Sequence, residues 1–297
     1  MAIIFTLIVL VAANILTLSL GVGLNSAIYG RKVGRSAVKL SNVMYKMDSF
    51  ENHGEFPFMA EVIYKRKHLC GAAIIKNYAL LTAGHCVNEN KKELFDIKAG
   101  SLIAGTKHRD SITQFRGVRK FVRHENYSKT NGNYDIALIF VNRPFIDTAY
   151  VSWISLPLAP IDYNSTGAYV LGWGRMRNTQ YSRQLMTTKV NFHTQDVCNS
   201  MNYTETLTEN LRLCSVSYRK LGPCIGDSGG PLFKHFRNDP KKDFLIGIIE
   251  STWYDEKGYC YLDKMSYYTN VRALLKWVYT NLYEEVSESY LNFTKSI

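Results

Sequence analysis

Apolar runs of strand length, each closed by a cluster of turn residues, set the first limit on what this chain can become. Phe58 to Tyr64, Cys70 to Ile75, Ala79 to Ala83, Ile136 to Val141, Ala168 to Gly174 and Phe244 to Ile249 recur between segments rich in Gly, Asn, Asp and Lys. Runs this short, repeated in this way, fit an all-β sandwich or barrel. The 20 Tyr and 14 Phe against only 7 Pro point the same way, because aromatic side chains favour pleated, half-buried surfaces. One helix stands out late: Val271, Leu274, Leu275, Trp277, Val278 and Leu282 recur at helical spacing up to about Glu284. It is expected to dock on the β structure, with residues 286–297 as a polar tail. The chain's 297 residues, 46% of them hydrophobic, suffice for one large domain or two small ones, and no internal repeat is visible.

Residues 1–24 are almost unbroken apolar sequence, followed by the basic residues Arg31, Lys32 and Arg35. The expected reading is a cleaved signal peptide, with Gly23 or Ala27 near the cut. An uncleaved anchor is the rival, since the run is long enough to span a bilayer. Residues 25–46 are polar and basic and read as a propeptide or linker before a folded domain over 47–285. Export agrees with the even set of six cysteines, Cys70, Cys86, Cys198, Cys214, Cys224 and Cys260, which an oxidising compartment would pair. It agrees too with four Asn-X-Ser/Thr sites for glycosylation, at Asn126, Asn164, Asn202 and Asn292.

The chemistry concentrates at Gly226-Asp227-Ser228-Gly229-Gly230-Pro231. Glycines around a serine let the backbone turn tightly, so that the hydroxyl projects while amide hydrogens converge on one point. Asp227 then needs a partner, because a buried, unpaired carboxylate is costly. Upstream, Leu81-Thr82-Ala83-Gly84-His85-Cys86 ends an apolar strand with a histidine beside a cysteine, where a bridge would hold an imidazole in place as a general base. Tyr134-Asp135-Ile136-Ala137-Leu138 puts a carboxylate at the mouth of another strand, suited to accept the second N–H of that imidazole.

His85, Asp135 and Ser228, in that chain order, resemble the trypsin/chymotrypsin-like serine protease family. Cys70-Gly71-Ala72-Ala73-Ile74-Ile75, Leu156-Pro157, Leu171-Gly172-Trp173-Gly174 and Tyr268-Thr269-Asn270-Val271 resemble further landmarks of that family. The resemblance runs from about Val43 to Tyr283. It implies two antiparallel six-stranded β-barrels with the active site between them and a C-terminal α-helix. It also implies the pairing Cys70–Cys86, Cys198–Cys214 and Cys224–Cys260. By the same likeness Ser228 is the nucleophile, His85 the base and Asp135 its orienter, with the amides of Gly226 and Ser228 as the oxyanion hole. The chain would then be a secreted, monomeric endopeptidase acting on polypeptides, subject to protein inhibitors and needing no metal or organic cofactor.

Two departures qualify the likeness. The family's specificity pocket is floored six residues before the nucleophile, here by Gly222, so that no acid waits for an Arg or Lys side chain. With Thr252 on one wall and Ser266 near the other, small or medium apolar side chains are expected instead. The family's activating protease frees an Ile-Val-Gly-Gly-like terminus that pairs with the aspartate before the nucleophile. Here the matching stretch, Val43-Met44-Tyr45-Lys46-Met47, lacks the glycines, and cleavage after Lys39 or Lys46 would yield no such terminus. The partner of Asp227 therefore stays open, and an inactive homologue serving as a binding or regulatory module is the alternative. Finally, the net charge of +11 and the stretch Arg116 to His124 suggest an anionic glycan, weighed against an ordinary solvated strand face. Nucleic acid is not expected of an exported hydrolase.

Overall fold

The computed structural model describes residues 48–49, 56–100, 113–161, 167–176, 180–182, 184–200, 210–216, 222–261 and 264–295. The leader, the 25–46 stretch with Lys39 and Lys46, residues 43–47, Asn164 and Asn202 lie outside the described residues, as does the side chain of Asn292. Among the described residues no helix is long and apolar enough to cross a membrane.

A two-residue strand, β1 (Asp48–Ser49), precedes the first barrel. Strands β2 (Met59–Tyr64), β3 (Lys67–Lys76), β4 (Ala79–Thr82), β5 (Phe95–Ala99), β6 (Gln114–Arg123) and β7 (Ala137–Val141) close in the order β2-β3-β4-β7-β6-β5, every pair antiparallel. Closure removes the unpaired edges that an open sheet would expose. β4 and β7 are buried at every position, so the barrel is covered on its outer face there as well as filled inside.

The second barrel comprises β8 (Ala168–Gly172), β9 (Met186–Thr194), β10 (Arg212–Val216), β11 (Pro231–Lys234), β12 (Phe244–Ser251) and β13 (Ser266–Asn270). Its order is β8-β9-β10-β13-β12-β11, with β11 returning to β8, and β1 adds to the outside of β9. A short helix, α1 (Gln195–Ser200), carries Cys198 to its bridge with Cys214 in β10. The other bridges are Cys70–Cys86 and Cys224–Cys260, the pairing that the family resemblance implies. Each is of a kind that contributes about 2–4 kcal/mol by restricting the unfolded chain.

Apolar packing joins the barrels. The Phe233 ring of β11 meets Phe56 and Phe58 edge to face, with ring centres 5.4 and 5.1 Å apart, and all three are buried in one cluster with Leu171, Trp173 and Ile248. Backbones also touch: Gly71 N–H of β3 donates to the Ser228 carbonyl at 2.8 Å. A Cβ on Gly71 would lie 2.8 Å from Gly230 Cα, so only glycine permits this approach.

The last helix, α2 (Leu275–Lys295), continues past Glu284, where the apolar spacing ends, so the stretch read as a polar tail is helical as far as Lys295. Val278 and Leu282 join the core cluster. Trp277 stacks on His124, which stacks on Tyr134, the neighbour of Asp135; the ring centres are 5.0 and 4.5 Å apart. Trp277 Nε1–H donates to Glu125 at 2.9 Å.

The basic stretch of β6 is engaged by the protein itself. Arg116, buried, donates to the carbonyls of Pro144 and Phe115 and to Gln114. Arg119 and Lys120 face the buried Glu285 of α2, and Arg123 lies over Tyr127. The side chains of Arg119 and Lys120 are still 44% and 40% exposed, so this strand face is part engaged and part solvated.

Because Leu282 is 5% exposed and its neighbour Tyr283 is 75% exposed, the two truncations should separate cleanly. In urea unfolding, Leu282→Ala should cost about 2–4 kcal/mol, and Tyr283→Ala no more than about 0.5 kcal/mol.

Candidate active site

His85 sits in a 3-10 turn, Gly84–Cys86, that follows β4, and the Cys70–Cys86 bridge ties this turn to β3. Asp135 enters β7 from a turn in which Tyr134 has φ +55°, a left-handed conformation uncommon for a bulky residue. The carboxylate grips the histidine twice. Oδ1 accepts the His85 backbone N–H at 2.8 Å, and Oδ2 accepts Nδ1–H at 2.7 Å. The acceptor at Nδ1 assigns the proton to that nitrogen and leaves Nε2 as the basic one. The Asp135 side chain is 4% exposed and that of His85 36%, so the ring reaches solvent while its partner does not. Burial works against the charged imidazole, but the hydrogen bond and charge of Asp135, with Glu250 adding, outweigh it and raise its pKa.

Ser228 lies between Gly226 (φ +96°) and Gly229 (φ +80°), conformations that a Cβ would strain. At Gly229 a Cβ would stand 2.2 Å from Thr82 Oγ1 and 2.4 Å from the Gly71 carbonyl. The Ser228 hydroxyl donates to the Glu250 carbonyl at 3.3 Å. Among the described residues, neither the Gly226 nor the Ser228 amide donates to a protein acceptor. His85, Asp135, Gly226 and Ser228 line one cleft of about 620 Å³, with Thr252 on its wall. Thr252 Oγ1 lies 3.3 Å from Ser266 Oγ, whereas Gly222 and Ser266 do not line this cleft.

Asp227, 3% exposed, points away from the cleft. Its oxygens accept the amides of Gly174 at 2.7 Å and Cys224 at 2.8 Å. Gly172 and Gly174 make room for it, since a Cβ at either would fall 1.8 or 2.4 Å from the carboxyl group. Burial pushes its pKa up to about 6, against the pull of the two amides and the charge of His68.

His68, Glu61 and Lys98 were not singled out in the sequence. His68 Nε2 is 2.8 Å from the Gly226 carbonyl and Nδ1 is 3.0 Å from Glu61 Oε1, so both ring nitrogens face acceptors and the imidazolium satisfies both. Glu61 Oε2 accepts Lys98 Nζ–H at 3.3 Å. Burial opposes charge on His68, yet the Glu61 hydrogen bond, the Gly226 carbonyl and the nearby carboxylates raise its pKa. The available signal was a charge at the centre of each of two apolar strands. Glu61 in β2 and Lys98 in β5 are direct cross-strand partners.

A histidine whose folded-state pKa is raised adds stability that is full below its unfolded value and is lost as pH rises through the folded one. The stability advantage of the native chain over His68→Gln should therefore be largest near about pH 6 and shrink towards about pH 9. Urea titrations across that range measure it, and a pH-independent difference would exclude the imidazolium.

The Trypsin family model matches residues 48–278. Lectizyme of Glossina austeni is 32% identical over 238 residues, which cover 76% of this chain and 81% of that relative. Bovine coagulation factor XI is 33% identical over 236 residues, 76% of this chain but 36% of the relative. Mouse transmembrane protease serine 11E is 28% identical over 230 residues, 76% of this chain and 52% of the relative. A family match across most of the chain, on two closed six-stranded barrels whose cleft brings His85, Asp135 and Ser228 together, establishes that the chain belongs to the trypsin family of serine proteases.

Proposed function

We propose that the chain is an active serine endopeptidase using Ser228, His85 and Asp135. The observation that carries the reading is the double hydrogen bond from His85 to a buried Asp135, which leaves Nε2 in the same cleft as Ser228. On substrate binding, the Ser228 hydroxyl exchanges its contact with the Glu250 carbonyl for Nε2. Its oxygen attacks the scissile carbonyl, its proton passes to Nε2, and the amides of Gly226 and Ser228 hold the oxyanion. His85 then protonates the departing amine, and water, deprotonated by the same nitrogen, releases the acyl group. Asp227 holds the oxyanion turn from behind through its contacts with Gly174 and Cys224.

Secretion, glycosylation and activation belong to the same reading. Asn126 is exposed and available to a glycan. Residues 1–24 serve as a cleaved signal, with an anchor as the rival, a question to which a relative called a transmembrane protease gives point. The substrate is a polypeptide, and an activating protease and protein inhibitors are the expected partners.

A fluorophosphonate probe should label Ser228 in the mature protein, with no labelling of Ser228→Ala. Asp135→Asn should lower kcat about 10⁴-fold. Failure of the native protein to label would favour the binding-module reading.

No acid stands at Gly222, and Thr252, in contact with Ser266, lies on the wall of the cleft beside Ser228, which supports a pocket for small or medium apolar side chains. Cleavage of a peptide library should follow small or medium apolar residues, with Arg and Lys disfavoured. Widening the pocket with Thr252→Gly should admit larger side chains, and cuts after Arg or Lys by the native enzyme would overturn the assignment.

A further inference from the structure

Beside the triad lies a buried ion pair to which the steps above give no role. Arg212 of β10 donates Nε–H to Glu250 Oε2 at 2.8 Å and Nη2–H to Oε1, and the two residues are 6% and 5% exposed. Gly132, on the loop leading to Asp135, seals the pair: its φ is +67°, and a Cβ there would lie 1.8 Å from Arg212 Nη2 and 2.5 Å from Glu250 Oε1. Burying two charges is expensive and seldom gains stability over apolar packing. A function for the pair has to come from what it faces.

Glu250 meets both halves of the chemistry. Its carbonyl accepts the Ser228 hydroxyl, and it lines the same cleft as His85, where its charge favours the imidazolium. The titratable groups whose charges couple to it are Arg212 on β10, Asp135 and His85 across the barrel seam, and Tyr127 on the loop that carries Gly132. Burial, with Asp135 adding, drives Glu250 up to about 7 against the pull of Arg212 and His85. With Glu250 ionised and His85 neutral, Asp135, Glu250 and Arg212 sum to one negative charge. When Nε2 takes the Ser228 proton, the four groups sum to zero. Arg212 without Glu250 would instead leave an excess positive charge beside the imidazolium.

We propose that Glu250, anchored by Arg212, is a positioning residue that acts through His85, a second buried carboxylate stabilising the imidazolium formed as Ser228 attacks. The inference rests on Ser228 and His85 being the reacting pair. The device is built on both barrels and cannot form until they have docked.

The test reads the imidazole directly. The full chain carrying Ser228→Ala is labelled with nitrogen-15 histidine, and the His85 ring is titrated by NMR with and without Glu250→Gln. The His85 pKa should fall by about one unit in Glu250→Gln, the shift that one nearby charge produces at such a site. In Arg212→Met/Glu250→Gln, which buries no unpaired charge, it should fall by less. In the Ser228 enzyme, Glu250→Gln should lower kcat about tenfold, leave KM nearly unchanged and move the acidic limb of the pH profile downward. Glu250→Asp should restore part of the shift. A His85 pKa within about 0.2 units of the parent in both the single and the double variant would overturn the proposal. If the single variant fails to fold, the double one decides. The titration needs no turnover, so native protein that fails to label would remove the proteolytic reading while the imidazole result still stood or fell by itself.

Discussion

The barrels meet backbone to backbone along a seam that only glycine can occupy, and the site depends on that contact. Gly71 N–H reaches the Ser228 carbonyl, Gly71 faces Gly230 with no room for a methyl group, and Gly229 presses against Thr82 and the Gly71 carbonyl. A nucleophile on one barrel and a base on the other are useful only if their separation is fixed to a fraction of an ångström. Here the fixing is done by main-chain atoms, which have fewer ways to relax than side chains. The Phe56, Phe58 and Phe233 cluster supplies apolar area behind the seam but not this accuracy.

Around the seam, buried charges are arranged so that each has a counter-charge or a pair of amides. Asp135 holds His85, Arg212 holds Glu250, Lys98 and His68 share Glu61, and Asp227 takes the amides of Gly174 and Cys224. Two of these groupings bear on the same turn from opposite sides. His68 grips the Gly226 carbonyl, and Asp227 grips the Gly174 amide just past the end of β8. The peptide between Gly226 and Asp227 is thereby held at both ends, its carbonyl by His68 and its N–H by the Cys224 carbonyl.

Much of this was legible in the residues. The six apolar runs lie on strands β2, β3, β4, β7, β8 and β12, and the late apolar spacing is α2. Four others were harder to see because charge interrupts them: Lys98 in β5, the basic run of β6, Lys189 in β9 and Arg212 in β10. Lys98 and Arg212 are satisfied by groups distant in sequence. Arg212 and Glu250, for instance, are 38 positions apart, a relation that no local pattern encodes. The triad was readable because its members sit in short motifs, whereas Glu61 and Glu250 look like ordinary solvent-side residues of alternating strands. Glu250 sits in no motif of its own, at the end of an apolar run. Its carbonyl touches Ser228 and its carboxylate serves the opposite side.

The stack of Trp277, His124 and Tyr134 has a consequence for how the chain is made. Tyr134 holds an uncommon backbone conformation next to Asp135, and the ring that caps its stack is contributed by a helix near the carboxyl end. Ribosomes deliver that helix after His85, Asp135 and Ser228. A growing chain can therefore hold His85, Asp135 and even Ser228 outside the tunnel while the turn presenting Asp135 still lacks its outer support. Arrival of this helix completes the stack, and fragments that stop short of it lack the outer brace of the turn beside Asp135.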